Sequence, residues 1–283
     1  AGAKATGQVL QNGTGVANAE VSVEGMEHIS VRADAQGRFT LTGIPVGEYT
    51  LVAAKEGMLA DNKSQEFKAN QSYTLNFNLT DPGFNASSLL GFKMVLLRSR
   101  PGSGPNEFVI SGELRDLPEN SIFKRASATP TVLRFTDKII VKEGNTIYPK
   151  GGELVTDVSE IKLKAFGYLS IKLKNSNGLR VRPSSNGSRT QGEIAGENEI
   201  DWQGTFSELT GITLPTTPMS VRFLSAGNNT IAPITSSGTI SGTSLGFAGS
   251  PDGWKLYGIR LIPDLVGSSI DQQGFNLKGK IKL

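Results

Sequence analysis

Acidic side chains are the residues of this 283-residue chain whose type and spacing best fit acid–base chemistry. One cluster comprises Glu193, Glu197, Glu199 and Asp201 and leads directly into Trp202. A glycosidase needs two carboxylates across a sugar ring, and an aromatic side chain beside them supplies a stacking platform. The alternation of the last three carboxylates is equally typical of the solvent-facing side of a strand edge, with the tryptophan in the core. We expect this second arrangement.

A second acidic cluster is formed by Glu113, Asp116 and Glu119. Carboxylates and loop carbonyls can hold calcium, so such clusters are candidates for metal binding. Spacing alone predicts neither a metal site nor a cofactor in either cluster.

Nucleophilic chemistry has few candidate residues. The chain contains one histidine, His28, between Glu27 and Ile29 in a strand-like run, and no cysteine. A Ser-His-Asp triad would need this histidine, which has no evident partner, and no phosphate loop, nucleophile elbow or EF-hand motif occurs. We therefore predict no catalytic residue and a protein that is not an enzyme. The enzymatic alternative is a glycosidase that uses Glu197 or Glu199 with Asp201.

Lysines alternate with apolar residues along residues 161–174. Two strands joined around Phe166 and Gly167 would bury the apolar residues and line the other face with the lysines. Such a face could bind an anionic polysaccharide or a phosphate-bearing lipid headgroup. Lysines also keep an exposed sheet edge from pairing with other chains, and we expect this structural role. The four residues are Lys162, Lys164, Lys172 and Lys174.

Aromatic residues near the end of the chain are candidates for sugar stacking. A turn at Pro251 to Gly253 is expected to begin a strand with Trp254 on one face and Tyr257 on the other. Stacking of Trp202, Trp254 or Tyr257 on a sugar is the functional interpretation, and core packing is the structural one. Together with the four lysines, these three aromatic residues are the candidate ligand-binding residues.

The elements that must position these residues are clearest in residues 6–59. Short alternating runs are separated by turn signals such as Asn12-Gly13, which predicts strand, turn and strand throughout. Asp34 can accept backbone N–H bonds within its own turn, and Gly37 supplies a positive φ that returns Phe39 to the core. Pro45 and Gly47 form a further turn, after which a strand restarts.

This segment resembles the carboxypeptidase regulatory-like domain, a seven-stranded transthyretin-like sandwich. The resemblance covers roughly the first 80 residues and implies their fold. Ala17 departs from the family's sequence pattern, because many relatives have a proline at this position. In similar proteins the module is an accessory attached to a peptidase, an outer-membrane transporter or a surface protein. The zinc site of the carboxypeptidase catalytic domain needs several histidines, which excludes that activity here. The motifs that carry the resemblance are Gly7-Gln8-Val9, the run 16–23, the corner 34–39, the run 43–51 and Lys55-Glu56-Gly57.

Composition favours an all-β chain. With 34 glycines and 13 prolines, the chain has turn residues for many short strands and no sustained helical period. We predict two domains, at residues 1–80 and 81–283, with a boundary at Thr80 to Gly83 and a possible subdivision near residues 182–190. The second domain is expected to be a larger antiparallel β-sandwich or barrel with glycines at strand bends.

Charge and hydropathy restrict the partners. No run approaches the roughly 20 apolar residues of a membrane span, and a net charge of +3 does not favour nucleic acid. We expect a mature or trimmed chain without a signal peptide, in the periplasm or on the surface of a Gram-negative bacterium.

Its predicted function is adhesion, assembly or an accessory role, with polysaccharide or other surface proteins as partners. One alternative is a glycan-binding protein of a bacterial carbohydrate-uptake system. The other is a filament or pilus subunit that donates the terminal strand, residues 275–283, to a neighbour.

Overall fold

The chain folds into β-strands joined by turns, as the sequence predicts. No helix occurs in the part of the chain that the structure describes, and therefore none there could cross a lipid bilayer. The protein is all-β, with several separate sheets. The computed structural model describes residues 2–115, 124–125, 132–165, 169–183, 189–202, 212–213, 218–223, 229–233, 245–247, 255–264, 269–271, 274–276 and 278–282.

The first part of the chain is a sandwich of two sheets. One sheet has the order β2-β1-β5, with β8 and β9 paired in parallel to the other side of β1, and the second has the order β4-β3-β6-β7. Because β8 and β9 are one edge strand interrupted at Leu75 and Asn76, and β2 has only two residues, the sandwich has seven principal strands. The strands are β1 (Ala3–Gln11), β2 (Thr14–Gly15), β3 (Glu20–Val23), β4 (Met26–Arg32), β5 (Arg38–Ile44), β6 (Gly47–Ala54), β7 (Asp61–Phe67), β8 (Ser72–Thr74) and β9 (Phe77–Asn78).

The turn before β5 forms as its residues predict. The Asp34 carboxylate accepts hydrogen bonds from the backbone N–H groups of Gln36 (2.9 Å) and Arg38 (2.8 Å). Gly37 has a φ of 77°, a conformation that favours glycine. Phe39 then points into the core, where it is 5% exposed and its ring centroid lies 5.7 Å from that of Phe77.

The second part of the chain contains three further sheets. Their orders are β10-β11-β12-β14-β15, β21-β25-β26-β29, and a path from β13 through β17, β18, β20, β22, β23, β24 and β27 to β28, with β16 and β19 at its side. None of these sheets closes on itself in the described residues. The strands are β10 (Ser88–Leu89), β11 (Phe92–Pro101), β12 (Glu107–Arg115), β13 (Lys124–Arg125), β14 (Leu133–Glu143), β15 (Thr146–Pro149), β16 (Leu154–Val155), β17 (Glu160–Ala165), β18 (Leu169–Lys174), β19 (Arg180–Pro183), β20 (Gly192–Trp202), β21 (Ile212–Thr213), β22 (Pro218–Phe223), β23 (Asn229–Pro233), β24 (Leu245–Phe247), β25 (Lys255–Leu256), β26 (Ile259–Pro263), β27 (Ser269–Asp271), β28 (Gly274–Asn276) and β29 (Gly279–Ile281).

Two large apolar cores are separate from each other. One contains residues from Ala3 to Leu79, and the other contains residues from Phe84 to Leu261. The strands on either side of the proposed subdivision, β19 and β20, pair with each other, and residues 184–188 lie outside the described part. The domain boundaries themselves remain a prediction.

The pairing of β12 with its two neighbouring strands contains two register shifts. One shift lies between Leu96 and Arg98 on β11, and a second shift on β12 lies between Ile110 and Gly112. A Cβ atom at Gly112 would lie 2.5 Å from the Val95 carbonyl oxygen, closer than such atoms can approach. Glycine at this position therefore allows the close approach of β11 next to the irregularity.

A backbone hydrogen bond from the segment after β6 also joins the first sandwich to the second part of the chain. Leu59 pairs with Thr80 through N–O distances of 2.8 and 3.2 Å. Its neighbour Ala60 donates its N–H group to the Leu96 carbonyl oxygen at 2.9 Å. The segment after β6 is thus hydrogen-bonded to β11.

Candidate functional site

The outer faces of two sheets meet between the first sandwich and the second part of the chain. Strands β3 and β6 contribute one face, and strands β11 and β12 contribute the other. Their apolar contact centres on Val52, Ala54 and Val95, each no more than 9% exposed, with Ala60 and Leu97 packed against them. Val52 and Ala54 therefore bury their side chains outside the core of their own sandwich. This buried outer face indicates an interface between the two parts.

Charged residues form the other half of the contact, which we call the Arg115 network: Glu20, Glu113, Arg115 and Arg134. The Arg115 Nε and Nη2 groups both donate to Glu113 Oε2, at 2.9 and 2.7 Å. Its Nη1 group donates to Glu20 Oε1 at 3.1 Å, across the interface. Arg134 Nε donates to the other Glu113 oxygen at 3.2 Å.

Strand register explains how this network forms. Glu113 lies opposite Arg134 on β14, and Arg115 lies two residues along β12, on the same face of the sheet. Glu113 is only 4% exposed, so its carboxylate depends on these two guanidinium groups for compensation. Glu113 in turn holds Arg115 in the orientation that reaches Glu20.

The electrostatic balance favours a charged Arg115. Burial by itself would lower the pKa of this guanidinium, but the carboxylates of Glu113 and Glu20 raise it above its ordinary value. Both oxygens of Glu113 already accept hydrogen bonds from arginines, an arrangement that suits an ion pair rather than a proton donor. No group of three or more potential metal-ligating side chains is found among the described residues.

Two cavities flank Arg115 in this interface. The first, the polar cavity, has a volume of about 160 Å³ and lies on the side of Glu24, Asn62 and Thr136. The second, which we call the basic cleft, has a volume of about 340 Å³. The basic cleft is lined by Asn18, Glu20, Arg32, Ala54, Lys55, Glu56, Lys93, Met94, Val95 and Arg115.

The acidic cluster before Trp202 lies along β20. Residues 192–197 pair with β22, so this half of the strand has neighbours on both sides. Among the described residues, 198–202 pair only with β18, and the expectation of a strand edge at Glu199 and Asp201 stays a prediction. The turn residues in the neighbouring segments do not indicate which distant strands pair with β20. Glu193, at the start of β20, is 3% exposed and accepts a 2.6 Å hydrogen bond from Arg182 Nε.

The lysine-rich segment forms the predicted hairpin, with Ile161, Leu163 and Leu173 buried. Its interpretation as an exposed edge is wrong, because β17 pairs with β13 and β18 pairs with β20. Lys162 is exposed, and Lys164, Lys172 and Lys174 are half-buried. The register places Lys172 opposite Glu199 and Lys174 opposite Glu197, so the predicted acidic and basic clusters occupy adjacent strands.

The aromatic candidates are not brought together in the described residues. Tyr257 is 69% exposed and lies in the two-residue turn between β25 and β26, rather than on a strand. Its φ of 49° and the φ of 81° at Gly258 fit the tight hairpin turns that need two positive φ values. Trp202 ends β20 opposite Leu169, and Trp254 lies outside the described part.

The remaining candidates have separate positions. His28 is exposed on β4, the edge strand of its sheet. Asp116 and Glu119 lie outside the described residues. Near the end of the described residues, β28 (Gly274–Asn276) pairs with β27 and β29 (Gly279–Ile281) pairs with β26 of the same chain.

Sequence reasoning identified Glu113 but missed its partners. The alternation of Glu113 and Arg115 on one strand was an available signal for a same-face ion pair. Glu20 lies 95 residues away along the chain, so no local pattern could have linked it to Arg115.

Comparison with known proteins agrees with the architecture of the first sandwich. A search of curated proteins found no match for the chain. The model of the carboxypeptidase regulatory-like domain matches residues 5–80, which contain β2 to β9 and all of β1 except its first two residues. Residues 5–80 of this chain are therefore a carboxypeptidase regulatory-like domain.

Proposed function

We propose that this is a non-catalytic protein of the periplasm or cell surface of a Gram-negative bacterium, with a role in adhesion or assembly. In this role the regulatory-like domain is an accessory that is held in one orientation on a larger β region. The supporting observation is the interface between the outer faces of the two sheets. It combines the apolar contact at Val52 and Val95, the backbone bond from Ala60 to Leu96, and the Arg115 network.

This combination favours a fixed orientation over flexible tethering. Domains joined only by a linker move relative to each other unless their interface is substantial. Here a backbone hydrogen bond and a directional Arg–Glu pair add geometric restraint to the apolar contact. A domain held in this way can transmit force or present its free face at a set angle, as adhesion and assembly require.

Localisation can be tested with antibodies raised against the purified chain. Intact cells of the source bacterium should be labelled if the protein is on the surface, and labelling after selective outer-membrane permeabilisation would indicate the periplasm. A strain with the gene deleted is the control for antibody specificity. Recovery of the protein only from the cytoplasmic fraction would contradict the proposal.

A glycan-binding role is the second candidate function. It is supported by Tyr257, whose ring is exposed at the tip of a hairpin, where it can stack on a sugar. A glycan array should then show binding by the intact chain that is reduced in the Tyr257→Ala and Trp254→Ala variants. Thermal unfolding would confirm that each variant remains folded. Retention of full binding by both variants would reject these residues as the platform.

A further inference from the structure

The basic cleft has an excess of positive charge. Four cationic side chains line it, Arg32, Lys55, Lys93 and Arg115, against the two carboxylates of Glu20 and Glu56. These groups come from both sides of the interface, because Lys93 lies on β11 and Arg32 lies on β4. A cleft with walls of low dielectric constant focuses the electric field of these positive charges, which raises the local concentration of anions.

The four cationic side chains of the cleft differ in their hydrogen-bond and ion-pair partners. Arg115 is paired with Glu113 and Glu20, and Lys55 donates to the Ala17 carbonyl oxygen. Arg32 and Lys93 have no hydrogen-bond or ion-pair partner within the described part of the chain. Their positive charges are therefore available to a ligand that enters the cleft.

Strand pairing brings these two cations to the same region. Arg32 lies opposite Glu20 on the adjacent strand β3, and Lys93 lies opposite Arg115 on the adjacent strand β12. Glu20 and Arg115 are themselves joined across the interface at 3.1 Å. The Glu20–Arg115 pair therefore connects the strand beside Arg32 to the strand beside Lys93.

We propose that the basic cleft binds a small polar molecule that carries one oxyanion group, such as a sugar sulfate, sugar phosphate or uronate. Arg32 and Lys93 contact the oxyanion, because charge-assisted hydrogen bonds from both sheets can converge on it. The cleft volume of about 340 Å³ exceeds what one anion fills, since a liquid water occupies about 30 Å³. Asn18 and Glu56 supply further polar groups for the hydroxyls of such a ligand.

This site goes beyond the proposed function, because it assigns a ligand to a surface that adhesion or assembly does not require. The two proposals can also fail independently. Ligand binding is measured on the purified chain, whereas localisation is measured on cells.

The test is calorimetric titration of the intact chain with six probes: inorganic sulfate, inorganic phosphate, glucose 6-sulfate, glucose 6-phosphate, glucuronate and glucose. We expect binding of at least one charged sugar, weaker binding of its bare anion and none of glucose. The charged probes distinguish a sulfate, a phosphate or a carboxylate as the preferred group. Absence of binding by every charged sugar, or equal binding of glucose, would overturn the proposal.

The decisive variant carries Arg32→Gln and Lys93→Gln. Neither side chain has a partner among the residues that the structure describes, so their replacement should leave the fold intact, and affinity should fall at least about tenfold because charge-assisted hydrogen bonds are lost. The matched control carries Arg38→Gln and Lys63→Gln, which remove the same charge from exposed positions outside the cleft. An equal loss of affinity in this control would show general attraction by net charge and would also overturn the proposal.

Discussion

Arg115 is the residue on which the charged half of the interface depends. Replacing it with Met keeps most of the aliphatic stem but removes the hydrogen bonds to Glu113 and Glu20. We expect Arg115→Met to lower the free energy of unfolding by about 1.5–3 kcal/mol, the usual contribution of hydrogen bonds to charged groups. Urea unfolding of the intact chain measures this change.

A matched surface pair provides the control for this prediction. Arg180 and Glu153 are also joined at 3.1 Å between Nη1 and Oε1, but their side chains are 46% and 34% exposed. Arg180→Met should therefore cost less than about 1 kcal/mol, because solvent screens exposed pairs. Equal losses in the two variants would show that the Arg115 network has no special role.

A second prediction concerns Glu107, which begins β12. The hydrogen bond from Lys150, at 2.6 Å, is the main cause of a lowered pKa at this carboxyl, below its ordinary value of 4.5. Stabilisation from a lowered carboxyl pKa is present above the unfolded-state pKa and is lost as the pH falls through the folded-state pKa. We expect Lys150→Met to raise the pKa of Glu107, as followed by carboxyl NMR titration. An unchanged titration curve in this variant would contradict the assignment.

At the scale of secondary-structure elements, the apolar contact between the two sheet faces holds the interface together. Val52 is 9% exposed on the outer face of β6, whereas Val46, just before that strand, is 59% exposed. Val52→Asp should weaken the contact, because a carboxylate would have to be buried there without a partner. The amide of Ala60 reports this directly, since it donates to Leu96 across the interface.

Hydrogen exchange at this amide provides the measurement. We expect faster exchange of the Ala60 amide in Val52→Asp and unchanged exchange in Val46→Asp, which introduces the same charge at an exposed site. Wild-type protection of the Ala60 amide in both variants would mean that the apolar contact does not hold the two parts together.

Local elements could be predicted from sequence where residue type alone determines the backbone. The turn at Asp34 and Gly37 is one example, because a carboxylate acceptor and a positive φ are properties of single residues. The pairing of the two lysine-rich strands is another, because their alternation lies within one short segment. In both cases the structure agrees with the predicted local geometry.

Pairing between distant strands could not be predicted in this way. The neighbours of β18 and β20 depend on which segments meet in three dimensions, so β18, which appears to be an edge strand from alternation alone, is central. The interface was missed for the same reason, since Glu20 and Arg115 belong to different parts of the chain. Val52 and Ala54, which follow the polar residues Glu48 and Thr50 on the same face of β6, are a local signal of a second buried surface.

At the scale of the whole molecule, the two separate cores predict that residues 1–80 fold without the rest of the chain. All residues of the first core lie between Ala3 and Leu79, and domains of this size can fold alone with modest stability. An expressed 1–80 fragment should give a dispersed amide NMR spectrum with Phe39 and Phe77 in contact. A spectrum typical of an unfolded chain would show that the interface is required for folding.

The central claim of this account is that the interface holds the regulatory-like domain in one orientation. Because the chain has no cysteine, Glu48→Cys and Ser103→Cys place a single pair of spin labels at exposed positions on the two sides. Pulsed electron–electron distance measurement should give one narrow distribution in this background and a broader one when Arg115→Met is added. A broad distribution without the Arg115 substitution would contradict the account, because it would show that the domain moves freely on its linker.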